Sequence, residues 1–408
     1  MFTIIELMNN FKDDFTEEIY RGMFQKLIVN FHTSNKILEI CLFFVENRIR
    51  QKPTFENMNL LLYILSKSDN NDENKKLVIE FIKRNYNIFT TKFNYNISTV
   101  ISDILSQILL YQVLSEDEII KIIKLISNNF LETKNKFIEL YQFMLNPEKF
   151  LNEGNKNKII DDNDLLKKIE DFSDYNSSLL EVIKIGLIIF SNEQKDITDK
   201  LGNVLLLIFE EINMVINLKK KNSVLSSNKF KNFNYNFINI LMDLMARICL
   251  YNPKYFQNIL NNFIMTNKLN SEQYIIDIMN IMIETLNFIQ RGINVLFIST
   301  MITWFGFNFL NNNINLIFDL VLSRITEKKA SLNEDSFLGK NKYVDSLRKK
   351  KIENNEILLQ IYDLKTNFVQ AVNMTCQNRA VDTMYWIKSL KMNDIRKKKL
   401  NDIFGFYS

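Results

Sequence analysis

Apolar side chains recur at three- and four-residue steps over most of the chain, and short polar runs separate the stretches in which they do. The clearest stripe is Ile97, Ile101, Ile104, Ile108 and Tyr111, one face of a helix over Ile97–Tyr111. Before it, the spacing predicts helices over Phe15–Phe31 and Ile37–Ile49 with Thr33–Asn35 as a turn. Pro53 opens another through Leu60, Leu61, Leu62 and Ile64; Ser66–Lys76 reads as a polar loop, and Leu77–Phe89 as the next helix. Ser115 and Glu118 have the spacing of a capping box, in which the serine accepts from the N3 amide and the glutamate reaches back. That box starts a helix through Ile119, Ile122, Ile123 and Ile126. A separate helix carries Phe137, Leu140, Tyr141 and Met144 and stops before Pro147.

After a polar linker over Glu153–Asp164, which contains Gly154, helices are expected over Leu179–Phe190 and Ile197–Ile216. A second linker, Lys219–Lys231, precedes Asn234–Tyr251, a helix from Pro253 to Met265, and Tyr274–Ile289. A third, Lys328–Lys342, precedes Tyr343–Tyr362, Thr366–Thr375, Asp382–Leu390 and Asp394–Phe406. In the half of the chain before Glu153 no period-two run is long enough to predict a strand.

The stretch Gly292–Ile325 stands apart. From Gly292 to Phe318 there is no charged side chain. Asn311, Asn312 and Asn313 interrupt it, because asparagine favours caps and turns over helix interiors. Beyond them Ile314, Ile317, Phe318, Val321 and Ile325 form one apolar face. The expectation is two antiparallel helices, the first buried nearly all round and the second on one side. Gly292–Leu310 also has the length of a membrane span. However, Asn294, Ser299, Thr300, Thr303 and Asn308 put polar groups on every face, and each would need a partner in lipid. Burial among other helices is the reading, and no membrane span is expected.

These segments make roughly eighteen to twenty helices joined by short connectors, in hairpins of about 40 residues, the length of HEAT and armadillo units. The fold class expected is all-α: an α-solenoid of HEAT-like hairpins, with about nine or ten repeats. A chain of 408 residues exceeds one ordinary compact domain, whereas a repeating array grows without enlarging a single core. An irregular helical bundle would show the same spacing, but helix follows helix with no element placed to serve as a hub. The polar linkers divide the chain into N-terminal repeats (1–153), middle repeats (154–218), central repeats (219–327), and a linker with capping helices (328–408).

Composition narrows the chemistry. Eight glycines and three prolines leave little material for β-turns or phosphate-binding loops. Pro53, Pro147 and Pro253 fall where helical patterns stop or start. The formal net charge of +4 comes from nearly matched acidic and basic residues, which argues against nucleic acid as a partner. Cys41, Cys249 and Cys376 lie far apart in apolar surroundings, as expected of free thiols in a reducing compartment. Met1–Glu6 lacks a basic segment followed by an apolar core. Nucleus and cytoplasm are the compartments expected.

His32 is the single histidine and sits at a predicted helix boundary, so histidine acid–base chemistry and zinc clusters have no basis. The carboxylates at Asp13–Asp14, Glu17–Glu18 and Asp161–Asp164 lie at helix starts or in loops, where they complement the helix dipole. No P-loop, dinucleotide fingerprint or nucleophile elbow is present. No catalytic, cofactor-binding or metal-binding residue is expected, and the chain reads as non-enzymatic. Three basic clusters remain, Lys219–Lys221, Arg348–Lys351 and Arg396–Lys399. Of these Arg348, Lys349, Lys350 and Lys351 border a loop and form the candidate basic contact surface.

Leu316–Lys329, LIFDLVLSRITEKK, resembles a late-repeat segment of importin-β-type transport receptors (karyopherins), in which a leucine-faced helix ends in Arg-Ile/Leu-Thr before a lysine-bearing linker. Met384-Tyr385-Trp386 through Asp394-Ile395-Arg396-Lys397-Lys398-Lys399-Leu400 is similar to the closing repeat of that family. Asn146-Pro147-Glu148-Lys149-Phe150 is similar to an Asp-Pro-Glu-x-Phe segment of several receptors. The resemblance implies the C-terminal half of a HEAT-repeat receptor that binds protein cargo on a concave surface, with Ran GTPase and Phe-Gly nucleoporins as partners. The matched positions are packing positions, so no cargo- or Ran-binding residue is carried over. A structural helical-repeat scaffold in a larger nuclear or cytosolic complex is the alternative.

Overall fold

The computed structural model describes residues 22, 26, 35–67, 72–91, 98–111, 114–145, 162–189, 201–220, 235–284, 291–325 and 363–405. Among the described residues there are fifteen α-helices and no strand, so the fold is all-α. The chain divides into two compact units, Met1–Leu125 with Leu338–Ile352, and Ile126–Phe337 with Glu353–Ser408.

The first unit holds α1 (Asn35–Gln51), α2 (Phe55–Lys67), α3 (Asp72–Thr91), α4 (Ser98–Leu110) and the start of α5 (Glu116–Leu145). Helix α1 packs on α3, and α2 packs on α4. Two side-chain bonds set the direction of the first pair. Asn35, at the first residue of α1, bonds Glu73 at the start of α3, and Glu46 meets Arg84 further along both. Both pairs are 38 residues apart in sequence, so α1 and α3 run parallel and in register. Tyr111, just past the end of α4, donates to the Leu65 carbonyl near the end of α2 at 2.9 Å. Those two helices also run parallel.

The glue between α1 and α3 is ionic. The Arg84 guanidinium grips the buried Glu46 carboxylate through Nε at 3.0 Å and Nη2 at 2.6 Å. Arg50 adds a 2.9 Å contact to the same carboxylate and reaches Asn85 Oδ1 at 2.9 Å. Burial pushes the Glu46 carboxyl up, but hydrogen bonds and charge from Arg84, together with Arg50, outweigh it. The group is held below the usual glutamate value.

Several boundaries differ from expectation. Helix α2 runs to Lys67 and α3 opens at Asp72, so the loop expected over Ser66–Lys76 is much shorter. Thr54 caps α2 through Oγ1, and Pro53 lies ahead of the helix rather than in its first turn. The Glu118 carboxylate returns to the Ser115 amide at 2.8 Å as a capping box requires. The Ser115 hydroxyl also donates to that carboxylate, at 2.9 Å. The two helices expected either side of residues 127–136 are one, α5. Polar residues there break the apolar stripe, yet no Gly or Pro breaks the backbone. Apart from residues 22 and 26, which are helical, Phe15–Phe31 lies outside the described residues, as does His32.

In the second unit, α6 (Asp162–Ile189), α8 (Tyr235–Tyr251), α11 (Arg291–Asn312) and α13 (Leu364–Gln377) form a row in which each packs on the next. Beside it, α7 (Gly202–Lys220) packs on α9 (Pro253–Asn267) and α10 (Ser271–Glu284), and α10 packs on α12 (Ile314–Ile325). Contacts of α8 with α7 and α9, and of α11 with α12, join the two rows. Phe209, Phe256, Phe263 and Tyr274 cluster where α7, α9 and α10 meet, with Phe209 5.5 Å from both Phe256 and Phe263. The Tyr274 hydroxyl leaves this cluster by donating to the Phe209 carbonyl at 3.0 Å. The short α14 (Thr383–Ser389) and α15 (Asp394–Phe404) pack on α13 and on each other.

The helix at the heart of this unit is α8, buried at every position from Phe237 to Cys249. Helix α11 is long and apolar enough to cross a membrane, but its apolar surface is spent on α8, α12 and α13. It is less enclosed than expected, with Thr303 and Asn308 exposed and Trp304–Phe307 half-buried. It also bends at Gly306, whose φ of 79° and ψ of −164° are non-helical. Helix α12 buries one side, as expected. Helix α6 begins at Asp162 rather than Leu179. Pro253 occupies the first turn of α9 as predicted, behind Asn252, whose side chain caps the Tyr255 amide.

Candidate functional site

Charge is concentrated in two places in the second unit. The first lies between α6 and α8. Arg247 Nε donates to Asp243 Oδ2 at 2.9 Å, one turn apart on α8. Lys184 Nζ stands 3.9 Å from the same oxygen and 3.7 Å from Glu181 Oε2. All four side chains are sealed, the most exposed being Glu181 at 6%. Two cations and two carboxylates balance, so the low-polarity interior is not asked to hold net charge from them. With no surface for a substrate to reach, this quartet is an element of packing between α6 and α8.

The second place is the surface of α14 and α15. Eight basic and four acidic residues lie between Asp363 and Ser408, so this last stretch carries the whole of the chain's formal +4. Both helices are short and individually marginal, so side chains hold them. Asp382 caps α14 by accepting from the Tyr385 amide at 2.9 Å, and Asn393 caps α15 by accepting from the Arg396 amide at 2.9 Å. Trp386 is buried from α14, donates through Nε1 to Asn311 Oδ1 at 2.9 Å, and meets the Phe307 ring edge-on at 5.7 Å. Leu400 and Ile403 bury the inner face of α15, while Arg396 reaches Asp319 of α12 at 2.5 Å. Lys397 Nζ approaches the Lys388 carbonyl at 3.4 Å, a cation at the C-terminal end of α14, where the helix dipole favours it.

With the inner faces spent, the outer ones are set by helical geometry. On α15, Ile395, Lys398, Lys399 and Asp402 form an exposed stripe at three- and four-residue spacing. On α14, Tyr385 and Lys388 do the same, with exposed Lys391 in the connector. Tyr385 is 70% exposed and Ile395 71%.

The candidate basic contact surface, Arg348, Lys349, Lys350 and Lys351, lies outside the described residues, as do Asp13–Asp14, Glu17–Glu18 and Asp161. Asp162 and Asp164 fall in the first turn of α6, within the stretch expected to be a polar linker. Lys220 is exposed and pairs with Asp277 of α10 at 2.6 Å. Of the three basic clusters, Arg396–Lys399 is the one the structure describes throughout; the exposure of Lys388, Lys391, Tyr385 and Ile395 is what sequence reasoning missed. The missed signal was phase: Trp386 and Ile387 are the buried residues of α14, which leaves Tyr385 on its outer side. Tyr385 is therefore not the packing position that the family resemblance suggests.

Cys41, Cys249 and Cys376 are buried free thiols. Among the described residues no group of three or more His, Cys, Asp or Glu side chains is placed to hold a metal ion. No family model, curated protein or solved structure matches this chain.

Proposed function

We propose that this chain is a non-enzymatic α-solenoid of HEAT-like hairpins that binds other proteins. The observation that supports it best is the pairing of α1 with α3: parallel helices, separated by an intervening helix and tied at a constant 38-residue offset. That is how the first helices of successive hairpins meet in a stacked array, and the offset is close to the 40-odd residues of such units. The row α6, α8, α11, α13 supports it again, since each member packs on the next. A stack of this kind offers a long surface on which small rotations between hairpins accommodate a partner.

Small-angle scattering tests the architecture: a solenoid has a radius of gyration well above the ~22 Å of a compact chain of this length, and a value near that figure overturns it. In its sharper form the reading is a nuclear transport receptor, with the sequence similarity of Leu316–Lys329 and Met384–Leu400 behind it. Pull-down with GTP-locked Ran and a Phe-Gly-repeat peptide tests that form, and binding to neither removes it. Recovery of the same partners at constant stoichiometry, without nucleotide-dependent release, marks a scaffold subunit instead.

A further inference from the structure

In an amphipathic helix the apolar stripe settles which face docks. Helices α6 and α8 lack that guide where they are most enclosed. Every residue of Leu179–Ile188 on α6 and of Phe237–Cys249 on α8 is buried, and apolar side chains stand on all sides of both. A core of this kind tolerates alternative packings and loses uniqueness before it loses stability. The polar exceptions fall on one line of each helix. On α8 they are Asn239, Asp243 and Arg247, each one turn from the next. On α6 they are Glu181 and Lys184, also a turn apart. The two lines meet where Lys184 Nζ stands 3.9 Å from Asp243 Oδ2.

We infer that these charges are a register lock, selecting one seating of α6 on α8 against seatings displaced by a helical turn. A slip of one turn, about 5.4 Å, carries Lys184 from Asp243 to Arg247 in one sense and to Asn239 in the other. The first sets two buried cations side by side, and the second gives an ammonium an amide in place of a carboxylate. Asp243 fares no better, passing from Lys184 to Glu181 or to Ile188. Like charges together, or a charge deprived of its opposite, is the costly case in a low-polarity interior. The native seating gains little net stability from the quartet, because desolvation offsets much of the attraction. What the quartet supplies is the gap between this seating and its competitors, the role that a buried polar residue has at a coiled-coil seam. The inference does not depend on the protein-binding reading.

The test is methyl nuclear magnetic resonance on the full chain labelled at isoleucine, with assignments from single isoleucine-to-valine changes. Wild type should give one cross-peak each for Ile183 and Ile188 of α6 and for Ile240 and Ile248 of α8. The quadruple variant Glu181→Leu, Lys184→Met, Asp243→Leu and Arg247→Met should have a denaturation midpoint close to or above that of wild type. It should nevertheless show doubled or exchange-broadened cross-peaks at those four positions. Ile281 of α10 and Ile317 of α12 should stay single in the same spectrum. Glu181→Leu with Arg247→Met, which keeps Lys184 and Asp243, should retain single cross-peaks throughout. Should the quadruple variant fail to fold, Glu181→Gln with Lys184→Met replaces it; the Asp243–Arg247 pair then remains within α8, and the same doubling is expected. Single cross-peaks in the charge-free variant overturn the proposal, since apolar packing would then seat α6 unaided. Doubling that spreads to Ile281 and Ile317 overturns it as well, because the whole core would have loosened. Unfolding of both variants also overturns it, by showing that the charges hold the fold rather than choose its register.

Discussion

Arg247 donates from Nε to Oδ2 of Asp243 at 2.9 Å, and neither side chain has exposed surface. Lys184 faces the same carboxylate from α6, while Asp243 Oδ1 makes no hydrogen bond among the described residues. A buried pair with one oxygen left over returns less than its desolvation takes. Breaking it is worse still. Asp243→Ala leaves Arg247 and Lys184 in the interior without their shared carboxylate and should destabilise by about 3–5 kcal/mol. The double change Asp243→Leu with Arg247→Met removes both charges and should cost far less than the sum of the single changes. Urea denaturation of the four proteins measures the coupling, and additive losses would mean that the pair does not act as a unit.

Glu46 gives the first unit a pH dependence whose sign follows from its environment. Its carboxyl lies below the usual value when folded because Arg84 and Arg50 more than offset burial. Stability from this group is therefore fully present above the unfolded glutamate value of about 4.3. It is lost as pH falls through the lower folded value. Glu46→Gln should lower the melting temperature at neutral pH and flatten its fall with acid. Thermal melts taken from neutral pH into the acid range compare the two slopes, and parallel curves would contradict the assignment.

Two glycines are needed for opposite reasons. At Gly306 φ is +79°, and a Cβ added there would meet nothing within 4 Å. The cost of Gly306→Ala is therefore conformational, about 1–3 kcal/mol. At Gly202 a Cβ would run into the Tyr255 hydroxyl, so Gly202→Ala should cost about 1–3 kcal/mol through overpacking. Tyr255→Phe should relieve the second penalty and leave the first unchanged. Denaturation midpoints of the single and double variants distinguish the two.

The three cysteines should be chemically silent in the folded protein. Burial pushes the Cys41 thiol up to about 12 and raises Cys249 and Cys376 as well, so thiolate is scarce at neutral pH. A thiol-specific chromogenic reagent should react much more slowly with all three than with a free thiol, whose value is near 8.5. All three should become titratable in denaturant. Rapid reaction of any one in the native protein would show that its helix opens locally.

Helix type and approximate position were legible over most of the described chain because an apolar stripe is a local property, though the first 17 residues of α6 were not expected to be helical. Ile101, Ile104 and Ile108 are buried as their spacing predicts, and α8, α9, α12 and α13 begin within a few residues of expectation. Helix lengths were less legible. Helix α5 continues across residues 127–136 because losing an apolar stripe does not end a helix when no Gly or Pro intervenes. The site was hardest to read. Lys398 and Lys399 were visible as a run of charge, but the exposure of Tyr385 and Ile395 depends on which face of each short helix docks.

The amino-acid sequence by itself determined that this protein is built of helices and which residues make the inner face of most of them. The sequence carries that information because the three-to-four-residue period of burial is written directly in residue type. Only the tertiary structure decided which helix lies at the centre. Gly292–Leu310 has the apolar composition for that place, yet α8 is the one buried throughout Phe237–Cys249, with Asp243 and Arg247 inside it. Its charges neutralise each other one turn apart and meet Lys184 from α6. A charge looks like a surface residue until its partner is in place, and the partner on α6 is supplied by packing between elements 59 residues apart in sequence rather than by any local pattern.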